Sequence, residues 1–139
     1  MIKLEEIEFT KEHFQITYEL LKQRKHFISH RSMPSYEEHC NFIRSKPYRY
    51  WYLVKIDNQF IGTLYLSIFN TIGMNINEPH IAIAGDLIKK IVETHEPLKE
   101  IKSTTNSKFT INVPATNEKI INELEKIGLS RIQISYSIE

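Results

Sequence analysis

The feature that most constrains the fold is a pair of alternating segments joined by a short polar turn. Over residues 48–56 apolar and aromatic side chains recur at every second position, so that Tyr50 and Tyr52 share one face. Residues 57–59, Asp-Asn-Gln, separate this segment from a second apolar one over residues 60–69. Period-two alternation on both sides of a polar turn is typical of a β-hairpin. The chain is therefore expected to contain an antiparallel strand pair.

Four other segments have the same period-two pattern. Each alternates apolar side chains with polar ones, which predicts a half-buried strand, although the alternation of the first segment slips near Glu5 and Glu6. The last of them alternates Ile132, Ile134, Tyr136 and Ile138 with polar residues. The four predicted strands cover residues 2–9, 71–77, 107–113 and 130–138.

Capping residues and helical periodicity predict four helices. Thr10 precedes a segment with an i, i+4, i+7 apolar stripe, and Ser35 with Glu38 three residues later forms a capping box. Either Thr116 or Asn117 can cap the last helix, and Gly128 suits the left-handed position after it. The predicted helices cover residues 11–24, 36–45, 86–95 and 118–127.

The resulting order is β-α-α-β-β-β-α-β-α-β. It predicts an α/β (mixed α+β) fold, with a central mixed, mostly antiparallel sheet and helices on both faces. A length of 139 residues is that of one domain, so we expect residues 1–139 to form a single domain.

Composition excludes several classes of protein. The 18 Lys and Arg nearly balance the 17 Asp and Glu, so no overall basic charge indicates a nucleic-acid partner. No segment approaches 18 apolar residues, and residues 1–10 lack the apolar run of a signal peptide. Cys40 is the single cysteine, and no cluster has metal-ligand spacing. We expect a cytoplasmic protein without a metal, a membrane partner or a nucleic-acid partner.

Three local motifs, together with the element order, resemble the GCN5-related N-acetyltransferase (GNAT) superfamily over nearly the whole chain. Residues 34–43, Pro-Ser-Tyr-Glu-Glu-His-Cys-Asn-Phe-Ile, are similar to the second-helix entry of small bacterial members. Residues 50–63 resemble the family's strand, turn and Ile-Gly hairpin. Residues 117–129, which begin Asn-Glu-Lys and end Lys-Ile-Gly-Leu, look like the family's last helix and are the most specific match. The nearest resemblance within the superfamily is to amino-sugar N-acetyltransferases.

The resemblance implies a binding site for acyl-CoA. In the family the fourth strand splays from the fifth, and the pantetheine arm lies in the gap. Here residues 71–77 and 107–113 would form the two walls, with backbone groups of Met74, Asn75 and Ile76 pairing with the pantetheine amides. Asn112 and Asn117 are further candidates for cofactor contact, although Asn117 also suits a helix cap.

The family binds pyrophosphate on a glycine-rich loop before a helix, and residues 80–85 occupy that place. A helix N-terminus binds phosphate through free N–H groups. In one register His80 stands first, with Ile83 and Gly85 at the glycine positions; in the other, which we favour, Pro79 stands first, with Ala82 and Ala84 there. Both lack the family's Gln or Arg, and no Lys or Arg lies between Lys55 and Lys89. The candidate loop residues are His80, Ile81, Ala82, Ile83, Ala84 and Gly85.

The candidate catalytic residues follow from the chemistry that the resemblance implies. An amine attacking a thioester needs a group to accept its proton, for which His30 and Glu37 are candidates. The tyrosine that protonates the leaving thiolate in many members is replaced by Leu124, so Tyr136, or Tyr48, Tyr50 or Tyr52, would have to supply the acid.

Acceptor binding is expected between the first two helices. Arg31 would anchor an anionic group of the acceptor, and Tyr50 and Tyr52 would line its groove, unless their alternation marks core positions. His30 and Arg31 could equally be a solvated loop pair.

Two functions from different classes remain open. The first is an acetyl-CoA-dependent N-acyltransferase that acts directly on the primary amine of a small molecule, such as an amino sugar nucleotide. The alternative is a non-catalytic domain of the same fold that has lost CoA binding, which the altered phosphate loop and Leu124 favour. A homodimer formed through an exposed sheet edge is a further expectation.

Overall fold

The computed structural model describes residues 1–26, 32–102 and 107–138. Its strands are β1 (Ile2–Glu6), β2 (Tyr50–Ile56), β3 (Gln59–Leu66), β4 (Thr71–Ile76) and β5 (Thr110–Ile111). Its α-helices are α1 (Lys11–Lys22), α2 (Tyr36–Arg44), α3 (Ala84–Thr94) and α4 (Glu118–Lys126), and a 3-10 helix (Glu78–Ile83) runs into α3.

The strands form one sheet in the order β1-β2-β3-β4-β5, antiparallel throughout except for the parallel β4–β5 pair. The predicted hairpin is confirmed, because β2 and β3 pair from Tyr50↔Leu66 to Ile56↔Gln59. Asp57 and Asn58 make its turn with φ of 47° and 66°, the left-handed values that a two-residue hairpin turn requires. The mixed, mostly antiparallel sheet that the sequence predicts is therefore present.

Alternation in the strands gives the sheet two apolar faces, and helices cover both. Leu87 and Ile91 of α3 pack on the face that carries Val54, Leu64 and Leu66. On the opposite face Phe14 of α1 and Cys40 and Ile43 of α2 pack with Ile7 and Trp51. α4 packs against the 3-10 helix and the start of α3 through Ile120, Leu124, Ile81 and Ala84. The fold is therefore of the mixed α+β class that the element order predicts.

Three predicted helix starts are confirmed by their caps, whereas α3 begins at Ala84 instead of Asp86 and has no side-chain cap. Thr10 accepts the backbone N–H of His13, and Asn117 accepts that of Ile120. Ser35 and Glu38 form the reciprocal capping box, and that exchange lowers the pKa of Glu38 through hydrogen bonds to Ser35. No helix in the described ranges is long and apolar enough to cross a membrane.

Three predicted elements differ from the structure. β5 spans two residues instead of 107–113, and residues 80–83 of the expected phosphate loop belong to the 3-10 helix. The strand predicted over residues 130–138 is wrong, since no strand is assigned there and Ile134, Tyr136 and Ile138 are 64%, 85% and 100% exposed. Alternation makes a strand only where a neighbouring backbone completes the ladder, and a two-residue β5 offers little edge to extend.

Candidate functional site

A cleft opens where β4 and β5 diverge. The two strands pair at Thr71↔Thr110 and Ile72↔Ile111, and β4 continues without that neighbour as far as Ile76. The space that this divergence leaves has a volume of about 740 Å³. It is bounded by the end of β4, the 3-10 helix, the beginning of α4 and the residues that follow α1.

The wall formed by β4 has backbone groups available to a ligand. β4 pairs with β3 along its whole length, up to Gly62↔Ile76. In an antiparallel ladder every second residue directs its N–H and C=O to the other side, which here is the cleft. Beyond Ile72 these groups have no strand partner within the described ranges, so an extended ligand can complete the ladder.

Cationic side chains from two distant parts of the chain meet in the cleft. Arg24 and Lys25 follow α1, and Lys119 stands in the first turn of α4. Among the described residues that line the cleft, Glu78 is the single carboxylate opposite these cations. The cleft therefore carries an excess of positive charge that the nearly neutral chain as a whole does not show, which favours an anionic ligand.

Glu78 connects the two sources of positive charge. Its Oε2 atom accepts a hydrogen bond from Nζ of Lys119 at 2.9 Å and lies 3.4 Å from Nζ of Lys25. The hydrogen bonds to Lys119 and then Lys25 hold the pKa of this carboxyl below its ordinary value. The carboxylate is therefore ionised at neutral pH and joins the end of α1, the 3-10 helix and α4 at the cleft.

An aromatic pair lies near Arg24. The rings of Tyr48 and Tyr65 stack with centroids 3.9 Å apart, and burial raises the pKa of Tyr48 to about 12. The pKa of Tyr65 is also raised, again by burial. Burial lowers the pKa of Arg24, although the two tyrosines oppose that effect. Both phenols are thus neutral, proton-bearing groups at physiological pH.

Gly73 brings Tyr65 to the point where the strands separate. A Cβ at Gly73 would lie 2.0 Å from Cζ of Tyr65, so the tyrosine ring crosses β4 in the space that a side chain would fill. Gly73 is the first residue of β4 after its two pairs with β5, and Met74 beyond it lines the cleft. The absence of a side chain at Gly73 therefore determines where this phenol lies.

Five of the residues predicted to bind a cofactor line the cleft. They come from the end of β4, the 3-10 helix and the cap of α4, which the fold brings together from three separate parts of the sequence. These residues are Met74, Asn75, Ile76, Ile81 and Asn117.

The rest of the predicted phosphate loop does not line the cleft. Ala84 is fully buried against α4, Ile83 packs against the main core, and Ala82 is exposed. The backbone N–H of His80 donates to the carbonyl of Asn77, so a 3-10 turn already uses that group. Gly85 faces Ile127, whose Cδ1 atom would lie 3.3 Å from an added Cβ. The open loop expected over residues 80–85 is instead helical, because apolar Ile81 and Ala84 fold inward against α4.

Tyr50 and Tyr52 lie away from the cleft, on the face of the sheet that α3 covers. The ring of Tyr50 stacks on His95 with centroids 4.0 Å apart, and the hydroxyl of Tyr52 lies 2.9 Å from Nε2 of His95. Burial raises the pKa of Tyr52 and is also the main cause that lowers the pKa of His95. The structure assigns these two tyrosines a packing position and does not bring them to the cleft.

The remaining predicted site residues are dispersed. Glu37 is exposed in the first turn of α2, and Asn112 is exposed just after β5. Tyr136 lies in the segment that forms no strand. His30 and Arg31 fall outside the described residues.

Sequence reasoning missed Arg24, Lys25, His26 and Lys119. The basic run at residues 24–26 was a visible signal, but it stands at the end of a helix, where cations are ordinary. Lys119 lies within the most specific motif, where a lysine also fits an exposed helix position. No Lys or Arg adjoins residues 78–85 in sequence, and the fold brings Lys119 to Glu78 from 41 residues away along the chain.

Comparison with known proteins supports the fold. No protein-family model matches the chain, and no curated protein matches it. Among solved structures it is similar to a possible acetyltransferase from Clostridium difficile 630, with a TM-score of 0.57 and 8% sequence identity. The match covers 100% of this chain and 97% of that one, so the similarity extends over the whole architecture.

Proposed function

We propose that this chain is an N-acyltransferase that moves an acyl group from acyl-CoA, with acetyl-CoA as the donor, to the primary amine of a small molecule. Amino sugar nucleotides are the first acceptors to test. The solved structure with the same architecture is a possible acetyltransferase, which supports this general kind of activity for the fold. We further propose a single domain acting in the cytoplasm.

The observation that carries the proposal is the divergence of β4 from β5. A pantetheine arm is an extended chain with two amides, and the free edge of β4 after Ile72 offers backbone groups to such a chain. The same cleft is lined by Arg24, Lys25 and Lys119, which suit the phosphates of CoA. The same cleft therefore offers a strand edge for the pantetheine arm and cationic side chains for the phosphates of acyl-CoA.

The residues of the chain would assist a direct transfer. The nitrogen of the amine forms a bond to the thioester carbonyl carbon, the carbon–sulfur bond breaks, and the amine loses one proton while the thiolate gains one. Backbone N–H groups at the β4 edge can stabilise the negative charge that develops on the carbonyl oxygen. No covalent intermediate on the protein is required.

The general base is expected among the histidines after α1. His30 is the candidate from the sequence, and His26 lines the cleft, where its Nδ1 lies 2.8 Å from Oγ1 of Thr116. Loss of the base should lower kcat and remove the increase in rate with rising pH that deprotonation of the base produces, while the affinity for acetyl-CoA is retained. Comparing His26→Gln with His30→Ala identifies the residue, and if both keep the wild-type profile a histidine base is excluded.

The acid that protonates the thiolate is proposed to be Tyr65. The position where the family carries a tyrosine is Leu124, which is 6% exposed and packed in the cluster between α4 and the 3-10 helix. Tyr65 lies across Gly73 where the strands separate, whereas Tyr136 is 85% exposed. Tyr65→Phe should lower kcat without changing acetyl-CoA affinity, and Tyr36→Phe on α2 is the matched control.

Release of free CoA thiol, measured with acetyl-CoA and a panel of primary amines, tests the function. Acetylation of an amine, identified by mass spectrometry, is the expected result. Lys119→Gln should raise the KM for acetyl-CoA several-fold, while Lys126→Gln, at the other end of the same exposed helix face, should leave it unchanged. Acetyl-CoA binding without turnover across the amine panel would contradict the enzymatic proposal.

A non-catalytic binding domain is the second candidate, and particular residues favour it. The 3-10 helix replaces an open phosphate loop, and buried Leu124 provides no acid. A protein of this kind would bind CoA or another anionic ligand in the cleft and show no thiol release with any amine.

A further inference from the structure

Glu78 occupies the place in the cleft where positive charge is most concentrated. Its carboxylate lies within 3.4 Å of two ammonium groups, from Lys25 and Lys119. The Glu78 side chain is 32% exposed, whereas the two lysines are 67% and 64% exposed and extend toward it from separate elements. Two cations converging on one carboxylate form the arrangement that an anionic ligand would otherwise receive.

We propose that Glu78 is a built-in competitor for the anion site of the cleft, and that a diphosphate must displace its carboxylate from Lys25 and Lys119 in order to bind. The inference rests on the proposed function only for the identity of the diphosphate as part of CoA. The anion site itself rests on the geometry of the three side chains.

The charges of the three groups explain why a diphosphate can displace Glu78. The carboxylate carries one negative charge shared between two lysines, which leaves the trio with one excess positive charge. A diphosphate carries more negative charge and more acceptor oxygens, so it can satisfy both ammonium groups at once. A singly charged anion gains no such advantage over the carboxylate, and the site should therefore discriminate in favour of diphosphates.

The position of Glu78 in the fold allows this exchange without unfolding. Glu78 is the first residue of the 3-10 helix, and the N–H of the preceding Asn77 donates to the carbonyl of Ile61 at 3.0 Å. Pro79 restricts the backbone on the other side. With the backbone held, rotation of the Glu78 side chain into solvent is sufficient to release the lysines.

Calorimetric titration with inorganic pyrophosphate tests the proposal directly. Glu78→Gln keeps the size of the side chain and removes its charge, and it should bind pyrophosphate about three- to tenfold more tightly than the wild type. Glu93→Gln is the matched control, because it removes the same charge from the ion pair with Lys89 on α3. That control should leave pyrophosphate affinity unchanged.

A second set of variants assigns the gain to the lysines. Adding Lys25→Gln and Lys119→Gln to Glu78→Gln should abolish the gain and weaken binding below that of the wild type. Equal pyrophosphate affinity in the wild type and Glu78→Gln would overturn the proposal. So would a gain in Glu78→Gln that persists after both lysines are replaced.

Titration with acetyl-CoA separates this inference from the proposed function. If Glu78→Gln binds pyrophosphate more tightly but no form of the protein binds acetyl-CoA, the competitor role stands and the acyltransferase proposal fails. If acetyl-CoA binds and is turned over, but pyrophosphate binds equally to the wild type and Glu78→Gln, the acyltransferase proposal stands and the competitor role fails.

Discussion

Replacing Asn70 with alanine should destabilise the fold through loss of its hydrogen bonds to Leu98 and through an unfavourable backbone conformation. Asn70 is fully buried with a φ of 63° between β3 and β4. Its Oδ1 accepts the N–H of Leu98 at 2.7 Å, and its Nδ2 donates to the carbonyl of Leu98 at 2.9 Å. Its own carbonyl accepts the N–H of Thr110, which starts the parallel pairing of β4 with β5.

The expected magnitude follows from these contacts. Each hydrogen bond contributes about 1 kcal/mol net, and alanine in the left-handed region costs about 1 kcal/mol more. Leu98 is 40% exposed, so water replaces part of what is lost there. The sum is a decrease of about 2–3 kcal/mol in the free energy of unfolding, a large part of the stability of a domain of this size.

Urea denaturation measures this change, and Asn58→Ala is its matched control. Asn58 has a φ of 66° in the exposed hairpin turn, so placing alanine there costs about 1 kcal/mol of backbone strain. Unlike Asn70→Ala, this substitution breaks no hydrogen bond to Leu98. The difference between the two variants should be about 1–2 kcal/mol at an unchanged m-value. Equal destabilisation of both variants would refute the role assigned to the Leu98 hydrogen bonds.

Two further perturbations test the packing around the sheet. Gly73→Ala should force Tyr65 off β4 and separate it from Tyr48, because an added Cβ would lie 2.0 Å from Cζ of Tyr65. The free energy of unfolding measured with urea should fall by about 1–3 kcal/mol, and turnover should fall as well. Wild-type stability would contradict this packing. Burial lowers the pKa of His39, so the folded state favours neutral imidazole, and His39 contributes full stability above its unfolded pKa of about 6.5. Stability should fall as pH drops below that value, by at most about 1.4 kcal/mol per pH unit, until the folded pKa is passed. Urea midpoints at pH 7.5 and 5.5 should differ less in His39→Gln than in the wild type, and an unchanged difference would contradict the assignment.

The sequence predicted those parts of the fold that local chemistry determines. The hairpin around Asp57 and Asn58 is specified by alternation and turn residues, and the capping box of Ser35 and Glu38 by spacing alone. The segment over residues 130–138 shows the limit of such patterns. Its alternation is as regular as that of β2, but a strand also needs a neighbouring edge, and the length of β5 cannot be read from residues 107–113.

The candidate site was only partly predictable, because it depends on residues distant in sequence. The β4 contribution at Met74, Asn75 and Ile76 followed from the resemblance in element order. The charge did not, since Lys25 follows α1 and Lys119 belongs to α4, and only the fold brings both of them to Glu78. Tyr50 and Tyr52 alternate as residues that line a groove would, but α3 packs on their face of the sheet, and the sequence pattern does not show which face α3 covers.

Calorimetric titration of the purified protein with acetyl-CoA tests whether the cleft between β4 and β5 binds an acyl-CoA. We expect one binding site of micromolar Kd, about −8 kcal/mol, weakened several-fold when Lys25→Gln and Lys119→Gln are combined. Absence of binding heat and of any thermal stabilisation at millimolar acetyl-CoA would contradict the claim that this cleft holds an acyl-CoA.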